Sequence, residues 1–141
     1  MSITRGIEIL NITPSNEEEL RLALAAQRTN DSGEYYSWKN HEADSWFADF
    51  IFDKERRALD EVSLLDGEFF YYIIPKNVLK EMAKAINEKD FGEDLYDYGE
   101  GWEEICDEPV FKTLEYLAIW IQKNIDTMNE SECFCYYDCG N

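Results

Sequence analysis

Residues 90–108 carry the most unusual set of reactive side chains in this chain of 141 residues. This stretch, the acidic segment, holds nine carboxylates and no Lys or Arg, with four aromatic rings and three glycines interleaved. Carboxylates spaced like phosphates would let the segment enter a groove in which a basic partner binds nucleic acid. The rings would then supply the buried anchors that dominate protein interfaces. The candidate partner-binding residues are Asp90, Glu93, Asp94, Asp97, Tyr98, Glu100, Trp102, Glu103, Glu104 and Asp107.

Two other interpretations of the acidic segment stay open at this point. It could be a solvated loop whose aromatic rings only attach it to the core. It could also hold calcium, although it lacks the spacing of acidic residues and glycine found in EF-hand loops. We therefore expect no cofactor, and we favour the interaction surface over the calcium site.

The four cysteines form the second set of residues with chemical potential. Cys133, Cys135 and Cys139 share one face of an expected strand, because side chains alternate along a strand with a period of two. With Cys106 they could bind zinc, but Cys-x-Cys is not the usual spacing of a zinc knuckle. The alternative, which we favour, is that these cysteines act as small apolar residues facing the core.

The sequence contains no recognisable catalytic motif. His41 is the single histidine, and no nucleophile motif lies near it, so a solvated or capping role is expected. No glycine-rich phosphate loop is present. Paired carboxylates are uninformative among 31 acidic residues, because some pair is inevitable. We therefore expect a protein that is not an enzyme and has no catalytic residues.

The charge restricts the class of partner. Thirteen Lys and Arg against 31 Asp and Glu give a formal net charge of −18. Direct nucleic-acid binding is disfavoured because it depends on basic side chains that neutralise phosphates, and anionic membranes are disfavoured for the same reason. Residues 90–141 hold 14 acidic and two basic residues, so two thirds of the net charge lies in this part of the chain. With no export signal or long apolar run, we expect a cytoplasmic protein. We expect it to be a monomer or a homodimer.

The elements that must position these residues follow from hydrophobic periodicity. We expect one α+β domain over residues 1–141, with three to four helices packed on a small antiparallel sheet. A first short strand is indicated by Ile3, Ile7 and Ile9. A helix follows, capped by Ser15 with Glu18 three residues later. The apolar spacing from Glu34 to Phe52 predicts one helix.

The second half of the chain gives clearer signals. Asp66-Gly67 predicts a turn before a strand from Glu68 to Ile74. Pro75 and Pro109 each suit the start of a helix. The expected buried residues of these two helices are Val78, Leu79, Met82, Ala83 and Ile86, then Val110, Phe111, Leu114, Leu117, Ala118, Ile121 and Ile125. Glu132 to Asp138 is expected to form the last strand.

Several short motifs resemble a family of small bacteriophage and prophage proteins of unassigned function. They are Glu34-Tyr35-Tyr36-Ser37-Trp38-Lys39-Asn40, Trp46-Phe47, Tyr96-Asp97-Tyr98, Trp102-Glu103-Glu104, Thr113-Leu114-Glu115 and Phe134-Cys135-Tyr136-Tyr137. The resemblance covers residues 34–138. It implies a Tyr/Trp-Arg-Lys helix ending in Trp-Phe, then further helices, an acidic aromatic segment and a closing Tyr-Tyr strand. Two departures are Lys39-Asn40, where the family has a basic pair, and Cys139-Gly140, where it has Ser-Trp. The family implies a phage-encoded accessory protein with no known reaction.

Together these observations predict a non-enzymatic accessory protein that binds a basic host protein through the acidic segment. A sharper form of this hypothesis is a DNA-mimic inhibitor of a nucleic-acid enzyme or of a defence system. The alternative is an immunity protein that neutralises a basic nuclease toxin. Both use the same electrostatics, so composition does not separate them.

Overall fold

The structure is a computed structural model that describes residues 4–30, 34–39, 41–52, 62–89 and 109–139. Within these ranges the strands are β1 (Thr4–Leu10), β2 (Tyr35–Trp38), β3 (Ser63–Asp66), β4 (Phe69–Ile74) and β5 (Cys133–Cys139). The helices are α1 (Glu17–Asn30), α2 (His41–Ile51), α3 (Lys76–Asn87) and α4 (Pro109–Ile125). The expected α+β class, with four helices and an antiparallel sheet in the described ranges, is confirmed. No helix in those ranges is long and apolar enough to cross a bilayer.

The chain forms two compact units whose segments alternate along the sequence. The sheet unit comprises Met1–Ser37, Ala58–Lys76 and Met128–Asn141, and the helical unit comprises Trp38–Arg57 and Asn77–Thr127. The sheet unit therefore contains α1 and nearly all of the sheet. The helical unit contains α2, α4 and nearly all of α3.

The sheet has the strand order β2-β1-β5-β4-β3, so β5 lies at its centre. Cys133 is paired with Leu10 on one side, and Phe134 lies between Ile9 and Ile74. Helix α1 packs on one face of the sheet. The buried cluster between them consists of Leu10, Leu20, Ala23, Leu24, Leu64, Tyr71, Cys133 and Cys135. The predicted last strand is thus confirmed, shifted by one residue.

The hairpin of β3 and β4 confirms the predicted turn. Asp66 pairs with Phe69, so the connection is the two-residue turn Gly67-Glu68. Gly67 has a φ of 64°, a left-handed conformation that glycine adopts without steric cost. Strand β3 was not anticipated, because a four-residue strand is too short to show a period of two.

The start of α1 differs from the prediction by one residue. Asn16, rather than Ser15, caps the helix, since its side-chain oxygen accepts a hydrogen bond from the Glu19 N–H at 2.9 Å. The Glu19 carboxylate in turn accepts a bond from the Ser15 N–H at 3.4 Å. The pair Asn16 and Glu19 has the three-residue spacing of a capping box, so Glu18 is left exposed.

The single helix predicted from Glu34 to Phe52 is wrong. Residues Tyr35–Trp38 form β2, and α2 begins only at His41. The Ile9 N–H donates to the Glu34 carbonyl at 3.0 Å, so pairing with β1 draws this segment into the sheet. Periodicity within the segment does not reveal this long-range partner. Tyr35, Tyr36 and Trp38 therefore lie on a strand, while Trp46-Phe47 lies on α2.

The helices α3 and α4 agree closely with the sequence analysis. Each begins at or directly after its proline. All five expected residues of α3 are buried. In α4 the same holds for Val110, Leu114, Leu117, Ala118 and Ile121, whereas Phe111 and Ile125 are partly exposed. An apolar stripe of period 3.6 thus sufficed to orient both helices.

Candidate functional site

The ten predicted partner-binding residues lie outside the described residues, as does the rest of the acidic segment. They are Asp90, Glu93, Asp94, Asp97, Tyr98, Glu100, Trp102, Glu103, Glu104 and Asp107. The structure describes the residues that flank the segment on both sides. Lys89, which follows α3, is the residue directly before the acidic segment. Pro109, the first residue of α4, comes directly after the segment. The described part of the candidate site therefore consists of these two helix ends.

The C-terminal end of α3 has a defined geometry. The Glu88 N–H donates to the Lys84 carbonyl at 2.9 Å, and the Lys89 N–H donates to the Ile86 carbonyl at 3.1 Å. Lys89 then takes a φ of 59°, the left-handed conformation that commonly terminates helices. Glycine usually occupies this position, because the Cβ of any other residue comes close to the following carbonyl oxygen. Lysine is therefore sterically less favourable here than glycine. The helix therefore ends sharply at this residue.

Lys89 also contacts the beginning of α4. Its Nζ lies 5.5 Å from the centre of the Phe111 ring, a cation–π distance. Phe111 is only two residues into α4, so the residue before the segment touches the first turn after it. Sequence analysis missed this pair. The available signal was a lone lysine before the acidic run and an aromatic residue just after Pro109.

A groove between α3 and α4 shows how the two helices run. It has a volume of about 380 Å³ and is lined by Lys80, Ala83, Lys84, Gln122, Ile125 and Asp126. The middle of α3 thus lies beside the end of α4, while Lys89 lies beside its beginning. The two helices are therefore antiparallel neighbours, joined by the acidic segment.

The α3 side of the groove carries two lysines, and the α4 side carries Asp126. Lys80 and Lys84 line the groove, and with Lys76 they recur every four residues along α3, which places them on one side of the helix. Lys76 donates to the Asn129 carbonyl at 2.9 Å. These three lysines give this side of α3 a local positive charge.

Two cysteines of β5, Cys133 and Cys135, are core residues. Cys133 and Cys135 are buried free thiols in the cluster under α1, as the apolar interpretation predicted. Burial raises the pKa of the Cys133 thiol to about 11, against smaller opposing effects of Thr13 and Lys76. Cys106 and the side chain of Cys139 lie outside the described residues. Among the side chains that are described, no three His, Cys, Asp or Glu residues are grouped to hold a metal ion.

A buried polar pair connects β2 with α2. The Trp38 indole N–H donates to the Asp44 carboxylate at 2.9 Å, and both residues are buried. Asp44 lies in the first turn of α2, where the helix dipole favours a negative charge. The pair fixes the short connection between strand and helix. His41 opens α2, and its side chain lies outside the described part of the chain.

Searches with protein-family models, curated proteins and solved structures each returned no match to this chain.

Proposed function

We propose that this protein is a non-enzymatic binding protein that engages a basic protein partner through the acidic segment. The observation that carries the proposal is the charge of residues 90–108 together with the contact at their ends. Nine carboxylates without a basic residue account for half of the net charge of −18. They are joined to two neighbouring helix ends, where Lys89 lies over Phe111.

The contact between the two ends supports binding by lowering its entropic cost. Bringing the two ends of a loop together costs entropy that grows with loop length. For the acidic segment the fold has already brought the flanking residues together, so partner binding does not have to. A binding segment held at both ends loses less freedom on association than one held at a single end. Nine like charges fall within 19 consecutive residues, so their fields would add at the partner surface.

The sharper hypothesis is that the partner is a nucleic-acid enzyme or a component of a defence system. Such proteins carry basic grooves that read the phosphate backbone. The carboxylates would occupy the phosphate positions, and Tyr98 and Trp102 would supply apolar anchors. In this proposal the protein is a phage-encoded accessory protein that acts in the host cytoplasm as a DNA mimic.

The experiment is capture of host proteins by the parent chain and by a variant with a neutralised acidic segment. The variant is D94N/D97N/E103Q/E104Q, and the matched control is E18Q/E34Q/E81Q/E130Q. The control removes the same charge from exposed sites elsewhere. Captured proteins are identified by mass spectrometry at low salt and again at about 0.5 M salt, where the Debye length is about 4 Å.

We expect the parent and the control to retain a basic protein at low salt that the segment variant loses. Nucleic acid should compete with the parent for that protein, because both would occupy one groove. If the segment variant and the control bind every partner equally, the proposal is wrong. If the retained partner is a nuclease toxin encoded beside this gene, the immunity function replaces the DNA-mimic accessory function.

A further inference from the structure

The outward side of α4 carries an apolar pair that the fold leaves exposed. Tyr116 and Ile119 are 61% and 54% exposed, although α4 buries five other apolar side chains. They are flanked by exposed charged or polar residues on the same side of the helix. We call this set the outer face of α4: Lys112, Glu115, Tyr116, Ile119, Gln122, Lys123 and Asp126. At its C-terminal end this face borders the groove beside α3, because Gln122 and Asp126 also line that groove.

The charges of the outer face are arranged symmetrically about Ile119, with opposite signs. Lys112 lies seven residues before Ile119, and Asp126 lies seven residues after it. Glu115 lies four residues before, and Lys123 four residues after. The Asp126 N–H donates to the Gln122 carbonyl at 3.4 Å, so helical geometry continues to Asp126. Lys112 and Lys123 are also the only basic residues after Lys89.

We infer that the outer face of α4 is a self-association surface, which packs antiparallel against the same face of a second copy of this chain. A twofold axis at Ile119 places the two Ile119 side chains against each other, as an isologous interface requires. Lys112 of each copy then opposes the acidic residue at position 126 of the other. Lys123 of each copy likewise opposes the glutamate at position 115 of the other. Tyr116 lies opposite the glutamine side chain at position 122 of the other copy.

Charge complementarity favours a second copy over another occupant. All four charged residues of the outer face find an opposite charge in the antiparallel dimer, whereas a parallel pairing would oppose each charge with its own kind. Two chains of net charge −18 repel one another overall, so association needs local attraction of this type. The outer face carries equal numbers of positive and negative side chains, which makes it a locally neutral surface on an acidic chain.

The size of the contact sets its strength. One helix face buries less than the roughly 1,200 Å² at which stable interfaces begin, so the dimer is weak and dissociates on dilution. Each dimer would also contain two acidic segments. Pro109 is ten residues from Ile119, so the two α4 starts would lie about 30 Å apart at 1.5 Å per residue. Self-association does not depend on the proposed function.

The test is sedimentation velocity of the full chain over a concentration series that reaches about 1 mM. We expect the parent to shift from monomer to dimer within this range. Ile119→Asp should remain monomeric at every concentration, and its far-UV circular dichroism should match the parent because position 119 is exposed. A parent that stays monomeric throughout, or an Ile119→Asp variant that dimerises like the parent, overturns the inference.

Charge exchange tests the antiparallel register. Lys112→Glu creates two like-charge pairs per dimer and should weaken dimerisation about tenfold. The double variant K112E/D126K restores opposite charges across the axis and should recover the parent affinity. The control K112E/E115K has the same net charge but opposes like charges at both positions, so it should be weaker than K112E. Equal affinities for the two double variants would refute the register and, with it, the inferred surface.

Discussion

Strand β5 and helix α4 bury their apolar residues in different ways. In β5 four consecutive residues, Cys133 to Tyr136, are at most 4% exposed, so both faces of the strand are covered. In α4 the buried residues form one stripe, and Tyr116 and Ile119 lie exposed on the other side. A residue of β5 is therefore constrained by packing in every direction. The exposed apolar residues of α4 are not explained by the fold, so they are the better indicators of an interaction.

The largest effect that tests this contrast is on stability. Phe134 is completely buried in β5, so Phe134→Ala should lower the free energy of unfolding by about 3–5 kcal/mol. Ile119→Ala on α4 should change it by less than about 0.5 kcal/mol. Urea denaturation of dilute protein gives both values without a contribution from self-association. Similar costs at the two positions would show that Ile119 belongs to the core.

The same contrast explains how much of the fold the sequence predicts. For α3 and α4 the apolar period identified the helices, their starts and nearly all buried positions, because one covered face leaves a clean pattern. In β5 both faces are buried, and the strand was recognised from its residue types. Strand β2 was mistaken for helix because Tyr35 and Trp38 have helical spacing, while the bond between Ile9 and Glu34 is invisible in the local sequence.

The charge of residues 90–108 follows directly from the sequence, whereas the contact between the residues that flank them does not. Counting carboxylates places half of the net charge in residues 90–108. The contact that joins the ends of this segment depends on the antiparallel packing of α3 and α4. It also depends on the left-handed conformation of Lys89. Neither feature has a local signature, since a lysine is an uncommon residue for that conformation.

The next effect concerns the pH dependence of stability through Cys133. Its pKa is about 11 in the folded chain against 9.0 for a free thiol. Between these values the unfolded chain loses its proton first, so stability is complete below about pH 9 and falls as the pH rises towards about 11. Two pKa units correspond to about 3 kcal/mol.

The measurement is the free energy of unfolding of the parent and of Cys133→Ala, determined by urea titration on both sides of this pH range. The variant lacks the thiol and should lose less stability between the two conditions, although it starts from a lower value because of the cavity. Tyr137, whose pKa burial raises to about 12, is present in both proteins and cancels in the comparison. Parallel pH profiles would mean that the Cys133 thiol is hydrated in the folded state.

The smallest effect lies where α4 meets the acidic segment, at the contact between Lys89 and Phe111. Lys89→Ala retains the left-handed backbone and removes the cation–π contact, so it should cost about 0.5–1 kcal/mol. Lys89→Gly removes the same contact but relieves a backbone cost of similar size, so its net effect should be near zero. In a Phe111→Leu background the cost of Lys89→Ala should vanish, because a double-mutant cycle isolates the pairwise contribution. Urea denaturation of the four proteins in this cycle measures the coupling. A cost of Lys89→Ala that persists without the ring would mean that the lysine stabilises α3 alone and does not hold the two ends of the segment together.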